Sequence, residues 1–203
     1  MITEAASSLF ARLAPAGYHI ALRIGFAFPL EDVNHLSDAW VQHYTTHRFV
    51  LTDPVLRWNY ANIGTKRWSE IDISNDSNDV IGQAKQFGMN FGAAVSVSSG
   101  TQSGQRSFGM FARRDREFLD EELLSLFEGV RQLHDQMSPP QNLTDAELEA
   151  VRMLRDGMRL KQIAHELDIS EGAVKQRLKN AKGKLGANTS VQAASLAENY
   201  GLI

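Results

Sequence analysis

No cysteine occurs anywhere in the 203 residues. A disulfide framework, a thiolate metal site and a cysteine nucleophile are thereby excluded, and the absence suits a reducing compartment. No run of about 18 apolar residues exists, so no segment has the form of a transmembrane helix. The first ten residues carry Glu4 and lack a basic stretch followed by an apolar core. They do not read as a secretory signal, and the expected location is the cytoplasm. Neither sign of charge dominates: 21 Lys and Arg face 24 Asp and Glu. What remains, 43% hydrophobic and 22% charged, is ordinary globular composition and excludes a collagen, a coiled-coil rod and a wholly disordered chain.

Proline is also scarce, at 5 residues, and two are adjacent in Ser138-Pro139-Pro140-Gln141-Asn142. Pro-Pro stops a helix and biases the preceding residue to extended backbone. The chain is therefore predicted to divide here: 1–137 as one domain, 138–142 as a linker, 143–203 as a second domain. Upstream, 5–13 reads as a helix, 18–28 as a strand, 38–47 and 78–87 as helices, 92–97 and 108–112 as strands around a turn at 98–104. Leu119, Leu123, Phe127, Val130, Leu133 and Met137 form the stripe of a last helix. This order predicts an α+β domain with an antiparallel sheet and helices on its faces. Downstream no strand is expected, only four short helices. Thr144 and Glu147 form a capping box for the first, and Ser170 caps the third, from Glu171 to about Lys184.

Charge separates the same two halves. Residues 1–140 carry net −4 and residues 141–203 net +1, with five basic and no acidic side chains in 172–184. Residues 162–178 read as helix, tight turn, helix, held by Ile163, Ala164, Leu167, Ile169, Val174 and Leu178. A helix-turn-helix lays its second helix in the major groove of double-stranded DNA. The candidate contacts are Ser170, Lys175, Gln176, Arg177, Lys179 and Lys182: Gln reads adenine, Arg and Lys read guanine or hold phosphate. Val174 and Leu178 mark the buried side, which turns Lys175, Gln176 and Lys179 outward and leaves Arg177 between the faces.

Residues 143–186 resemble the LuxR-type DNA-binding domain through Leu143-Thr144, Glu147, Val151, Gly157, Ile163-Ala164, Leu167, Ile169-Ser170, Val174 and Lys184-Leu185. Gln162 and Ala173 depart from the usual Glu and Thr. Upstream, Trp40-x3-Tyr44, Asp53-Pro54-Val55 and Trp68 resemble the autoinducer-binding domain of LuxR-type quorum-sensing regulators. The resemblance implies an α/β/α sandwich holding an acyl-homoserine lactone. Trp40 would donate to the lactone carbonyl and Asp53 would accept from the signal's amide, with Tyr44 and Trp68 walling the pocket. It also implies a homodimer on a palindromic operator, with RNA polymerase as a further partner. Leu36 and Met110 stand where the family places hydroxyl anchors. From the residues alone, Trp40 and Tyr44 fit a plain core one helical turn apart, and Asp53-Pro54 fits the start of a short helix.

A regulator that acts without signal, and an anti-activator that pairs with a full-length regulator, stay open beside the signal-responsive reading. An enzyme is not expected: no cofactor, no Gly-rich phosphate loop and no cysteine is read. His43 and His47 have metal-compatible spacing but no third ligand, and are read as ordinary surface or core histidines.

Overall fold

A computed structural model describes residues 2–24, 28–74, 76–99 and 105–203. It forms two compact units, and the main division falls between Met137 and Ser138. The expected strand over 18–28 extends beyond the described residues at 25–27, and the expected turn over 98–104 does so at 100–104.

The N-terminal unit is built on five antiparallel strands in the order β2-β1-β5-β4-β3. These are β1 (Gly17–Ile24), β2 (Glu31–Asn34), β3 (Gly64–Arg67), β4 (Phe91–Ser98) and β5 (Arg106–Arg113). The three central strands are rich in Ile, Leu, Ala, Val and Phe, and both their faces are covered. The two edge strands are short, half-exposed and polar, which is how a sheet blunts its edges.

One face carries α1 (Glu4–Leu13) and α5 (Asp120–Gln136). Phe10 and Leu13 of α1 and Leu123, Leu126, Val130 and Leu133 of α5 pack there against Tyr18, Ile20, Leu22, Val95 and Phe111. The expected α5 stripe is corrected at its start. Leu119 is the residue before the first turn and is 55% exposed, while Leu126 takes the buried place. The other face carries α2 (Asp38–Thr46), α3 (Pro54–Ala61) and α4 (Val80–Gln86). Trp40, Val55, Val80 and Ala84 from these helices pack over Ala94 and Ala112 of the sheet. The unit is the α/β/α sandwich expected.

The second unit contains α6 (Asp145–Arg155), α7 (Leu160–Glu166), α8 (Glu171–Lys184) and α9 (Ser190–Asn199). Its core joins Ala150, Val151, Ile163, Val174, Leu178, Ala181, Ala193 and Ala197. Small residues let these short helices cross closely. No described helix is long and apolar enough to cross a membrane.

Candidate ligand site and DNA-reading helix

The second face of the sheet is where the aromatic residues collect. Ser37 caps α2 by accepting from the Trp40 amide at 3.3 Å. This fixes the first turn and sends Trp40 inward, where it is 5% exposed. Its ring meets Tyr44 edge-on at 5.6 Å, Phe87 at 5.3 Å and Phe49 at 6.1 Å. Such offset contacts suit aromatic quadrupoles. His43 and His47 belong to the same cluster, with their rings 4.2 Å apart. His43 Nε2 lies 2.6 Å from Gln83 Oε1, and His47 Nδ1 lies 2.9 Å from the His43 carbonyl.

Asp53 stands at the head of α3 and does two jobs. Its Oδ1 accepts from the Val55 amide at 2.8 Å and the Leu56 amide at 3.2 Å. Its Oδ2 accepts from the Tyr44 hydroxyl at 2.8 Å. Pro54 follows at the first helical position, where its missing N–H costs nothing. Burial pushes the Asp53 carboxyl above the usual carboxylate range, and its three donors pull it back. Burial, then the Asp53 charge, push the Tyr44 hydroxyl up as well. Three donors occupy three of the roughly four acceptor positions of a carboxylate, leaving one for a further donor.

Trp68 lies flat on the sheet. A Cβ at Gly92 would stand 2.0 Å from its indole, so only glycine permits the approach. The Trp68 indole nitrogen is buried and has no hydrogen-bond partner. Asn59, which the sequence reading did not single out, is more extreme. It is 0% exposed, and both polar atoms of its amide are unpartnered. The only signal in the sequence is its place one turn after Val55 on the inward side of α3. Leu36 and Met110 pack against the same cluster as half-buried apolar residues. Thus Trp40, Tyr44, Asp53 and Trp68 share one side of one sheet, and the unpartnered amide of Asn59 lies on the helix that Asp53 begins. Among the described residues no group of His, Cys, Asp or Glu is arranged to hold a metal.

In the other unit, α7 and α8 are joined by a turn in which Asp168 adopts φ 51°. Ser170 Oγ accepts from the Ala173 amide at 3.2 Å and starts α8. Gln162, at the position usually held by Glu, still caps α7: its Oε1 accepts from the Arg159 amide at 2.8 Å. Lys175, Gln176 and Lys179 are exposed along one side of α8, and Lys182 is half-buried. Gln176 donates to Asn180 at 2.8 Å, which shapes that surface. Arg177 is half-buried and turns toward α6, 4.0 Å from Glu149. Lys184, although part of the basic stripe, is used internally. Its Nζ donates to both Glu147 oxygens, at 2.9 and 2.8 Å, and to the Asn142 carbonyl at 2.7 Å. This pairing of α8 with α6 was not foreseen.

Comparison with known proteins agrees with both halves. Residues 23–132 match the autoinducer binding domain, and residues 141–197 match bacterial regulatory proteins of the luxR family. The chain belongs to the LuxR family. It is a quorum-sensing transcription regulator with an autoinducer-binding domain and a helix-turn-helix domain. Among its LuxR-type relatives, the transcriptional activator SolR of Ralstonia solanacearum is 30% identical over 178 residues, covering 81% of this chain and 74% of SolR. The regulatory protein SdiA of Escherichia coli is 27% identical over 177 residues, covering 82% of this chain and 73% of SdiA. A crystal structure of SdiA superimposes with a TM-score of 0.57 at 25% identity, covering 98% of this chain and 89% of that one.

Proposed function

We propose that this LuxR-family chain is controlled by an acyl-homoserine lactone, or a related N-acyl signal, held at Trp40, Tyr44, Asp53 and Trp68. In this reading it acts in the cytoplasm and binds a palindromic operator as a homodimer, through Ser170, Lys175, Gln176, Arg177, Lys179 and Lys182, with RNA polymerase as a further partner. No cofactor beyond the signal is assigned. The reading rests on one observation above all: the buried Trp68 indole N–H has no protein partner, on the sheet face that also carries Trp40 and Asp53. A buried donor left without an acceptor is costly, and a bound carbonyl would relieve that cost. Aromatic walls with a few polar groups suit a ligand that is mostly acyl chain.

A second reading has an observation of its own. The Asp53 carboxylate already receives Tyr44, Val55 and Leu56, so its burial does not require a ligand amide. The chain would then bind DNA without signal. An anti-activator is disfavoured by the exposed Lys175, Gln176 and Lys179, which a pure blocking partner would not need. Expression of the full chain with and without a series of acyl-homoserine lactones separates the first two readings. Retained lactone by mass spectrometry, with operator affinity dependent on it, is the expected result. Equal operator affinity in lactone-free protein would establish the signal-independent reading instead.

A further inference from the structure

Asn59 lies four residues after Val55 on the sheet-facing side of α3, and its side chain is sealed from solvent with neither its donor nor its acceptor used. It is also held in place. Its own carbonyl accepts from Ser96 Oγ at 2.8 Å and from Arg106 at 2.7 Å, which ties this turn of α3 to β4 and β5. The amide therefore cannot reach water by a small shift of the helix. Phe108 on β5 sits opposite Ser96 in the sheet register, and its ring meets Tyr60 at 5.5 Å, so aromatic rings stand beside these polar groups.

A side-chain amide presents a donor and an acceptor in one plane, and a hydroxyl is the compact group that answers both. Six residues separate Asn59 from Asp53, a rise of about 9 Å along a helix. With its amide held at Asp53 and its acyl group running along α3, a ligand would bring the middle or far end of that group, not its first carbons, to Asn59. Leu36 and Met110, packed against the same cluster, are apolar and offer no hydroxyl of their own.

We infer that Asn59 selects a signal whose acyl group carries a hydroxyl remote from the amide. This rests on the lactone reading proposed above and names the chemistry of the acyl group within it. A site that hydrogen-bonds a hydroxyl discriminates strongly against the analogue that lacks it, because its own polar atoms are then left unpaired.

The test uses two matched pairs on the full chain by calorimetry: N-octanoyl against N-(8-hydroxyoctanoyl) homoserine lactone, and N-cinnamoyl against N-(4-hydroxycinnamoyl) homoserine lactone. At least one hydroxylated member is expected to bind tenfold tighter or more than its partner. Asn59→Leu is expected to erase that preference, while Asp53→Asn weakens both members of a pair alike. If Asn59→Leu does not fold, Asn59→Ala is read in its place, and a preference that survives the substitution overturns the role of Asn59. Equal affinity within both pairs, or a preference for the plain chains, overturns the role of Asn59 and leaves the lactone reading standing. Binding of none of the four to wild type, or binding indifferent to Asp53→Asn, overturns the lactone reading and this inference with it.

Discussion

Lys184 donates to both carboxylate oxygens of Glu147, whose Oε2 also receives the Thr144 amide at 2.8 Å. The end of α8 is thereby locked to the start of α6 across 37 residues of chain. Glu147 is 5% exposed, so removal of its cation leaves a buried charge without a counter-ion. Lys184→Met is expected to destabilise the C-terminal unit by roughly 1–3 kcal/mol. Urea unfolding followed in that unit measures it, and a change below experimental error would show that the pair contributes nothing net.

The exposed face of α8 should behave differently. Lys175→Ala and Lys179→Ala are each expected to weaken operator and random DNA alike, and to reduce the slope of log affinity against log salt by about one. Gln176→Ala should cost about 1–3 kcal/mol on the operator and relax the choice at one base pair. Titrations on both DNAs at several salt concentrations check all three. Lys184→Met, measured while folded, should leave the salt slope unchanged.

Asp53 carries structure whatever it carries for a ligand. Asp53→Ala removes the oxygen that accepts from two backbone amides at the start of α3, and a loss of about 1–2 kcal/mol in the N-terminal unit is expected. Asp53→Asn keeps a capping oxygen and should lose much less. If the two variants melted together, the cap would not be what holds α3.

His134 is 1% exposed on α5, with Ser107 Oγ 2.7 Å from Nδ1 and Ser99 Oγ 2.9 Å from Nε2. Burial, reinforced by the Arg23 charge, pushes its pKa down to about 4 from an ordinary 6.5. The unfolded chain takes up a proton below about pH 6.5 and the folded one does not. This stability is complete above that pH and is lost as the pH falls from about 6.5 to about 4, by up to roughly 3 kcal/mol. Denaturant unfolding across that window should show the decline in wild type and a flatter profile in His134→Gln.

The elements with a periodic signal were legible in the sequence. The run from Ser170 through Val174, Leu178 and Ala181 carries both its cap and its buried side, and α8 forms where expected. Strands β2 and β3 were not legible, because Glu-Asp-Val-Asn and Gly-Thr-Lys-Arg lie at sheet edges and have no apolar alternation to reveal them. Helix α3 was legible only at its Asp53-Pro54 start, since its inward line is completed by Asn59, a polar residue. Arg177 shows a different limit. Helical geometry placed it between the two faces, but its approach to Glu149 depends on where α6 lies.

The contact of Trp68 with Gly92 also constrains how this protein can change over generations. A methyl group at position 92 would collide with a rigid indole, not with the free end of a flexible chain. Any lineage that gains a side chain at 92 must first give up the tryptophan at 68. The two positions are therefore expected to vary as a pair among descendants of this gene, with the aromatic residue changing first.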